Sequence, residues 1–235
     1  MFKIILLFFA TLLFGDVRVA TAGNVAFAIQ ELVKEFKNET GIRVIPVISS
    51  SGKLTAQIER GAPFDIFLSA NMLYPEYLYK KGLSKTRPKI YAKGCLVLFS
   101  KVGINSLNDI FKAKKIAIAN PKTAPYGKAS EEFLKNMKLY NKVKDRFVVA
   151  GNISSAFSYA MKVTDYGFIA KSLLFKFPKL NNKNHYIDLD SSKYRPIKQG
   201  VIVLNNRVEV QKFYNFLFSK KAKQIFKKYG YKTED

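Results

Sequence analysis

The sequence predicts an α/β protein of two lobes, each a mostly parallel sheet flanked by helices, with two strands crossing between the lobes. Three observations carry this. Short apolar runs of strand length alternate with amphipathic stretches of helical period, first over residues 17–82 and again over 115–170. Two longer apolar runs, KIYAKGCLVLF at 89–99 and IKQGVIVL at 197–204, each hold a glycine near the middle, Gly94 and Gly200. Neither internal repeats nor a flexible linker separate the two halves, so the chain is expected to leave the first lobe through one crossing and return through the other.

In chain order, Val17–Ala22 (VRVATA) reads as a buried strand. Residues 25–37 place Val25, Ile29, Leu32, Val33 and Phe36 on one helical face, and Gly41 ends that helix. IRVIPVI at 42–48 reads as a strand in which Pro46 suits an edge. A short helix at 53–60 closes at Gly61, FDIFL at 64–68 is a strand, and a helix at 72–81 closes at Gly82. After the first crossing, strands are expected at 115–119, 146–150 and 166–170, with helices at 127–138 and 153–162. The Asn- and Lys-rich residues 179–193 read as a surface excursion, and helices at 208–218 and 220–228 close the chain. The expected division is a leader at 1–15, a discontinuous first lobe at 16–94 and 201–235, and a second lobe at 95–200.

The leader is read from its pattern. Lys3 precedes eleven residues, IILLFFATLLF at 4–14, apolar except for Thr11. That run is too short for a bilayer, which needs about 20 residues, and fits the apolar core of a secretory signal. Gly15 offers a small residue for cleavage before Asp16, although Leu13 is a less usual choice at the third position back. No cysteine lies near this segment, so no lipid anchor is expected, and the protein is read as exported and periplasmic. Forty Lys and Arg against 17 Asp and Glu give a net charge of +23, which calls for an anionic partner: a nucleic acid, a membrane surface or a small anion. Export argues against the nucleic acid. One cysteine excludes a disulfide framework and a Cys-rich zinc site, one histidine weighs against His-based metal sites, and no Ser–His–Asp or Cys–His set is arguable.

Ligands of open α/β sheets bind beyond the carboxyl ends of the strands. Four strand-to-helix turns there are rich in small and donor residues: Thr21-Ala22-Gly23-Asn24, Ser49-Ser50-Ser51-Gly52, Pro125-Tyr126-Gly127 and Gly151-Asn152-Ile153-Ser154-Ser155. None holds a cation. The first N–H groups of a helix lack intrahelical acceptors, and the macrodipole adds about half a positive charge, so such turns suit an anion. Asn24, Ser51 and Ser154 also suit as ordinary N-caps. No dinucleotide fingerprint or phosphate-loop lysine is present.

On these residues the sequence resembles the molybdate-binding proteins of ABC transporters, within the type II periplasmic binding proteins. The segment QIERGAPFDIFLSA at 57–70, with SSSG at 49–52 before it, carries the resemblance most strongly; NPKTAPYG at 120–127 and IFKKYGY at 225–231 extend it. The resemblance implies a periplasmic-binding-protein-like fold and no enzymatic activity. It also implies capture of a tetrahedral oxyanion, molybdate or tungstate, for delivery to a membrane permease. By position the oxyanion ligands would be Asn24 and Ser51, through side chains, with Tyr126 and Ile153 giving mainly backbone N–H groups. These four would also hold the metal, as its oxyanion; no cofactor is implied, and a monomer with no nucleic-acid partner is expected. Where many family members have a ligand tyrosine, this sequence has Ala170, and the Tyr126 hydroxyl is the candidate to replace it.

Two other classes compete. A basic exported protein could hold polyanions at its surface through its lysines, or the chain could be an exported hydrolase, against which stands the lack of a general base beside any nucleophile. Cys95 reads as a buried small hydrophobe, His185 as a surface residue, and Asp65 as a structural acid bonding backbone near the site. The paired lysines at 80–81, 114–115, 220–221 and 227–228 read as solvated surface.

Overall fold

A computed structural model describes residues 15–233. The expected leader, apart from Gly15, lies outside the described residues.

The first sheet has the order β2-β1-β3-β10-β4, with β1 Val17–Ala22, β2 Val44–Ser49, β3 Ile66–Leu68, β4 Lys89–Gly94 and β10 Ile197–Val203. Period-two alternation sends its side chains to two separate cores. Val17, Val19, Ile66, Leu68, Val201 and Val203 pack under α1 (Ala28–Thr40), α7 (Val208–Phe216) and α8 (Lys220–Lys228). Ala20, Phe67 and Ile202 pack against α2 (Ser51–Glu59) and α3 (Leu73–Lys80). Ile29, Leu32 and Phe36 are the buried stripe of α1, and Gly41, at φ 72°, ends that helix in the left-handed conformation only glycine adopts freely.

The second sheet has the order β7-β6-β8-β5-β9, with β5 Leu96–Phe99, β6 Ile116–Ala119, β7 Phe147–Ala150, β8 Tyr166–Ala170 and β9 Tyr186–Asp188. α4 (Pro125–Asn136), the short α5 (Tyr140–Val143) and α6 (Ile153–Lys162) cover it. In each sheet three adjacent strands run parallel, β2-β1-β3 and β7-β6-β8, but β10 is antiparallel to β3 and β4, and β5 to β8 and β9. The sheets are therefore mixed rather than mostly parallel. β10 and β5 enter their sheets from segments remote in sequence from the strands they pair with, so no βαβ crossover dictates their direction.

The apolar run 89–99 is two strands. It breaks at Cys95, with β4 in the first sheet and β5 in the second. The other crossing run, β10, lies wholly in the first sheet, and a division at residue 200 falls inside it. The pairing of β10 with β4 shifts between Gln199, opposite Ala92, and Gly200, opposite Ile90, so Tyr91 is the extra residue of a bulge in β4, a feature that re-aims side chains. The polar stretch 179–193 contains β9, an edge strand held to β5.

Helix α4 starts hard against the end of β6: a Cβ on Gly127 would collide with the Ala119 carbonyl oxygen and lie 2.7 Å from its carbon. Gly127→Ala should therefore cost about 1–3 kcal/mol, the range of overpacked cores. Urea unfolding checks this, and an unchanged midpoint would refute the close approach.

Candidate functional site in the cleft between the sheets

The four donor-rich turns meet where the two sheets face each other. Asn24 stands in a single helical turn, Gly23–Val25, at the end of β1, and is buried. Ser51 opens α2, Tyr126 is the second residue of α4, and Ile153 the first of α6; all three are buried. Contacts across the cleft fix their proximity. The Gly52 N–H donates to the Thr123 carbonyl at 2.8 Å, bringing α2 to the loop before α4. A Cβ on Gly23 would lie 3.0 Å from Ser154 Oγ and 3.1 Å from Ser154 N, so the first turn abuts the start of α6. The Ser172 hydroxyl, just after β8, donates to the Asn24 carbonyl at 2.9 Å.

Capping does not occupy the predicted side chains. Ser50 caps α2, accepting from the Lys53 N–H at 3.4 Å, and Asn152 caps α6, accepting from the Ser155 N–H at 2.9 Å. Ser51 Oγ instead accepts from the Ala70 N–H at 3.0 Å, which orients the hydroxyl and leaves its hydrogen available. Pro125 occupies the first position of α4 and has no N–H, so Tyr126 supplies that helix's first main-chain donor. The N–H groups of Tyr126 and Ile153, at first-turn positions, have no acceptor in their own helices.

The Tyr126 side chain goes elsewhere. A Cβ on Gly94 would overlap its hydroxyl and sit 2.9 Å from Gln199 Nε2, so hydroxyl and amide meet where β4 ends. The hydroxyl is buried with no hydrogen-bond partner, as are Gln199 Nε2 and Asn24 Oδ1. The Asn24 amide nitrogen donates to Gln199 Oε1 at 2.6 Å and to the Tyr231 hydroxyl at 3.0 Å. Tyr231 in turn donates to the Asn24 carbonyl at 2.8 Å, and the Tyr91 hydroxyl donates to Gln199 Oε1 at 2.8 Å.

Gln199, Tyr231, Tyr91 and Ser172 form the support that sequence reasoning missed. Gln199 alone carried a signal: it is the one uncharged polar residue in IKQGVIVL, beside a glycine.

Other expectations resolve as follows. Ala170 ends β8 fully buried. Asp65 does bond backbone, accepting from the Arg18 N–H at 2.7 Å and pairing with Arg207 at 2.9 Å. It does so before β3 begins, however, at the opposite end of the sheet from the cleft. Cys95 is half-buried at the crossing rather than in the core, and half-buried His185 holds Nδ1 3.2 Å from the Ser100 carbonyl.

Burial pushes the hydroxyls of Tyr91, Tyr126 and Tyr231 well above the ordinary tyrosine range; repulsion from neighbouring would-be anions adds to the rise at Tyr91 and Tyr126, and hydrogen bonds offset part of it at Tyr231. All three stay neutral at physiological pH. The floor of the cleft thus combines uncharged donors with the positive ends of two helices, an arrangement that can hold an anion by hydrogen bonds alone.

Two lobes that meet over a polar cleft at their strand ends define a class of binding proteins that enclose a small ligand. The chain belongs to the family described as bacterial extracellular solute-binding protein, which it matches over residues 17–232. It is a binding protein, not an enzyme. It is 33% identical over 227 residues to the molybdate-binding protein ModA of Azotobacter vinelandii, covering 92% of this chain and 90% of that one. With ModA of Rhodobacter capsulatus the identity is 31% over 229 residues, with coverages of 94% and 89%. The solved structure of the Azotobacter vinelandii periplasmic molybdate-binding protein superposes with a TM-score of 0.86 at 29% identity, over 93% of this chain and all of that one. The sulfate-binding protein SubI of Mycobacterium tuberculosis, at 13% identity and a TM-score of 0.76, shares the fold. Among the described residues no helix is long and apolar enough to cross a membrane.

The raised tyrosines set a pH limit. With folded pKa values above the unfolded value of about 10, their contribution is complete below pH 10. It is lost as pH rises above 10, by about 1.4 kcal/mol per unit for each tyrosine. Thermal melts between pH 8 and 11.5 should show a fall above pH 10 that is shallower in Tyr126→Phe and Tyr231→Phe; identical profiles would show the hydroxyls to be solvated.

Proposed function

We propose that this chain captures a tetrahedral oxyanion, molybdate or tungstate, between its lobes and delivers it to the permease of an ABC transporter. It acts in the periplasm, as a monomer, with residues 16–94 and 201–235 forming one lobe and 95–200 the other. The observation that carries the reading is the meeting of Asn24 and Ser51 with the unsatisfied N–H groups of Tyr126 and Ile153, with no lysine or arginine among these four turns. The kinship to two ModA proteins narrows the anion class.

Each residue has a physical task. The Ser51 hydroxyl, oriented by the Ala70 N–H, donates to one oxygen. The Asn24 amide donates to a second. Tyr126 and Ile153 present backbone N–H groups at the positive ends of α4 and α6. Because the two lobes each supply half of the donors, the anion binds the closed state better than the open one and so shifts the population toward closure. Sulfate has the same charge as molybdate, so discrimination rests on cavity size and donor spacing. The Tyr126 hydroxyl, turned toward Gly94 and Gln199, does not stand in for the tyrosine that Ala170 replaces. The ligand set here is one hydroxyl shorter than in family members that have it.

Calorimetric titration with molybdate, tungstate and sulfate tests this. Binding of the first two with sulfate far weaker is the expected outcome; no heat and no thermal shift with molybdate or tungstate would sink the reading. Ser51→Ala should weaken binding about ten- to hundredfold, the worth of one hydrogen bond to a charged group. An unchanged affinity would show the site to be elsewhere. The lysine excess should act on encounter alone: raising salt should lower the association rate and leave dissociation nearly unchanged in stopped-flow.

A further inference from the structure

The polar knot around Asn24 has two complementary hydrogen-bond patterns, and only one of them offers the anion a donor. In the observed pattern, both hydrogens of Asn24 Nδ2 are committed, to Gln199 Oε1 at 2.6 Å and Tyr231 at 3.0 Å. The amide end left over is its oxygen, buried and unpartnered. An oxygen is the wrong end to offer an oxyanion. An amide can be turned about its last bond, exchanging oxygen and nitrogen at nearly the same positions. Turning Asn24 alone would set its oxygen against Gln199 Oε1, two acceptors in contact, so Gln199 must turn with it.

We infer that Gln199 is the positioning residue of the anion site, and that the anion-loaded protein has the amides of Asn24 and Gln199 both turned. Every neighbour fits the turned pattern. Gln199 Nε2 donates to Asn24 Oδ1 and to the Tyr91 hydroxyl, whose own hydrogen goes to the Ser69 carbonyl 3.4 Å away. The Tyr231 hydrogen passes from the Asn24 carbonyl to Asn24 Oδ1, and Ser172 continues to hold that carbonyl at 2.9 Å. Gln199 Oε1 now faces the Tyr126 hydroxyl beside Gly94 and becomes an acceptor for it after a small rotation of the amide. The three orphaned atoms, Asn24 Oδ1, Gln199 Nε2 and Tyr126 OH, thus all gain a role. Asn24 Nδ2 takes the place of the unpartnered oxygen, with its hydrogens free for an anion. Tyr126 comes from α4, which covers the second sheet, and Gln199 from β10 of the first, so closing the lobes favours the pattern that accepts the anion.

This rests on the oxyanion reading above, and nuclear magnetic resonance of the full chain separates the two. In the molybdate-loaded, 15N-labelled protein, the Gln199 side-chain amide protons should show Overhauser contacts to the ring of Tyr91 and none to the ring of Tyr126. The Asn24 amide signal, identified by its loss in Asn24→Ser, should shift on titration. Contacts from Gln199 to the Tyr126 ring in protein that binds molybdate would overturn this inference and leave the oxyanion reading intact. Failure of the unaltered chain to bind molybdate would overturn both. Gln199→Met, which keeps the volume and removes the amide, should weaken molybdate about tenfold by freeing Asn24 from its orientation. Wild-type affinity in a folded Gln199→Met would count equally against the inference.

Discussion

A buried carboxamide must place one oxygen and two N–H hydrogens, and Asn24 draws its partners from widely separated parts of the chain. Gln199 reaches its side chain from β10 and Tyr231 from beyond α8, while Ser172, just after β8, holds its main-chain carbonyl. An unsatisfied polar group in such a place costs about 1–3 kcal/mol, so these partners constrain one another. That requirement explains features that look unrelated. The chain end returns to the first sheet, where Lys93 and Lys232 exchange two main-chain hydrogen bonds and set Tyr231 against Asn24. The bulge in β4 falls at Tyr91, beside the Gln199 pairing, and the Tyr91 hydroxyl reaches Gln199 Oε1.

Bringing polar groups from two lobes into one buried joint also needs backbones that approach closely, and glycine supplies this where it matters. Gly94 leaves room for the Tyr126 hydroxyl at the point where the first crossing strand passes between sheets. Gly127 lets the start of α4 lie against the end of β6, so that Pro125 and Tyr126 present a helix terminus to the cleft. Gly23 and Gly52 do the same for the contacts with Ser154 and Thr123. Packing, joint and donors are therefore one construction.

Much of this was legible in the sequence, and the remainder was hidden for physical reasons. Helices α6 and α8 and the strand Tyr166–Ala170 follow from periodicity and turn residues, because a local pattern decides local structure. The four donor turns were legible because cap-type residues after apolar strands have few other uses. Strand direction was not, since antiparallel partners come from distant segments and leave no local mark. Cys95 read as core because it opens the apolar stretch CLVLF of KIYAKGCLVLF; nothing in that run reveals that its two halves pair with different partners. Tyr91 and Tyr231 read as ordinary aromatic packing, which they also provide around Phe226. Their hydroxyls matter only once Gln199 and Asn24 are known to lie between them.

Most of the charge that dominates the composition lies outside this joint; Lys53 is the exception, its Nζ 3.4 Å from where a Cβ on Gly151 would stand. Pairs such as Lys228–Glu31, Lys221–Glu35 and Lys135–Glu131 sit on the outer surface with exposed lysines, and 17 acids cannot neutralise 40 bases. A cation placed in the cleft would attract any dianion strongly and with little regard to size, because Coulomb attraction varies slowly with distance. Neutral hydrogen-bond donors are short-ranged and directional, so their spacing can separate anions of equal charge. They also leave no fixed charge behind to hold the anion once the lobes part. Excess charge outside and neutral donors inside thus divide two tasks: the surface raises the frequency of encounter, and the knot around Asn24 decides what stays.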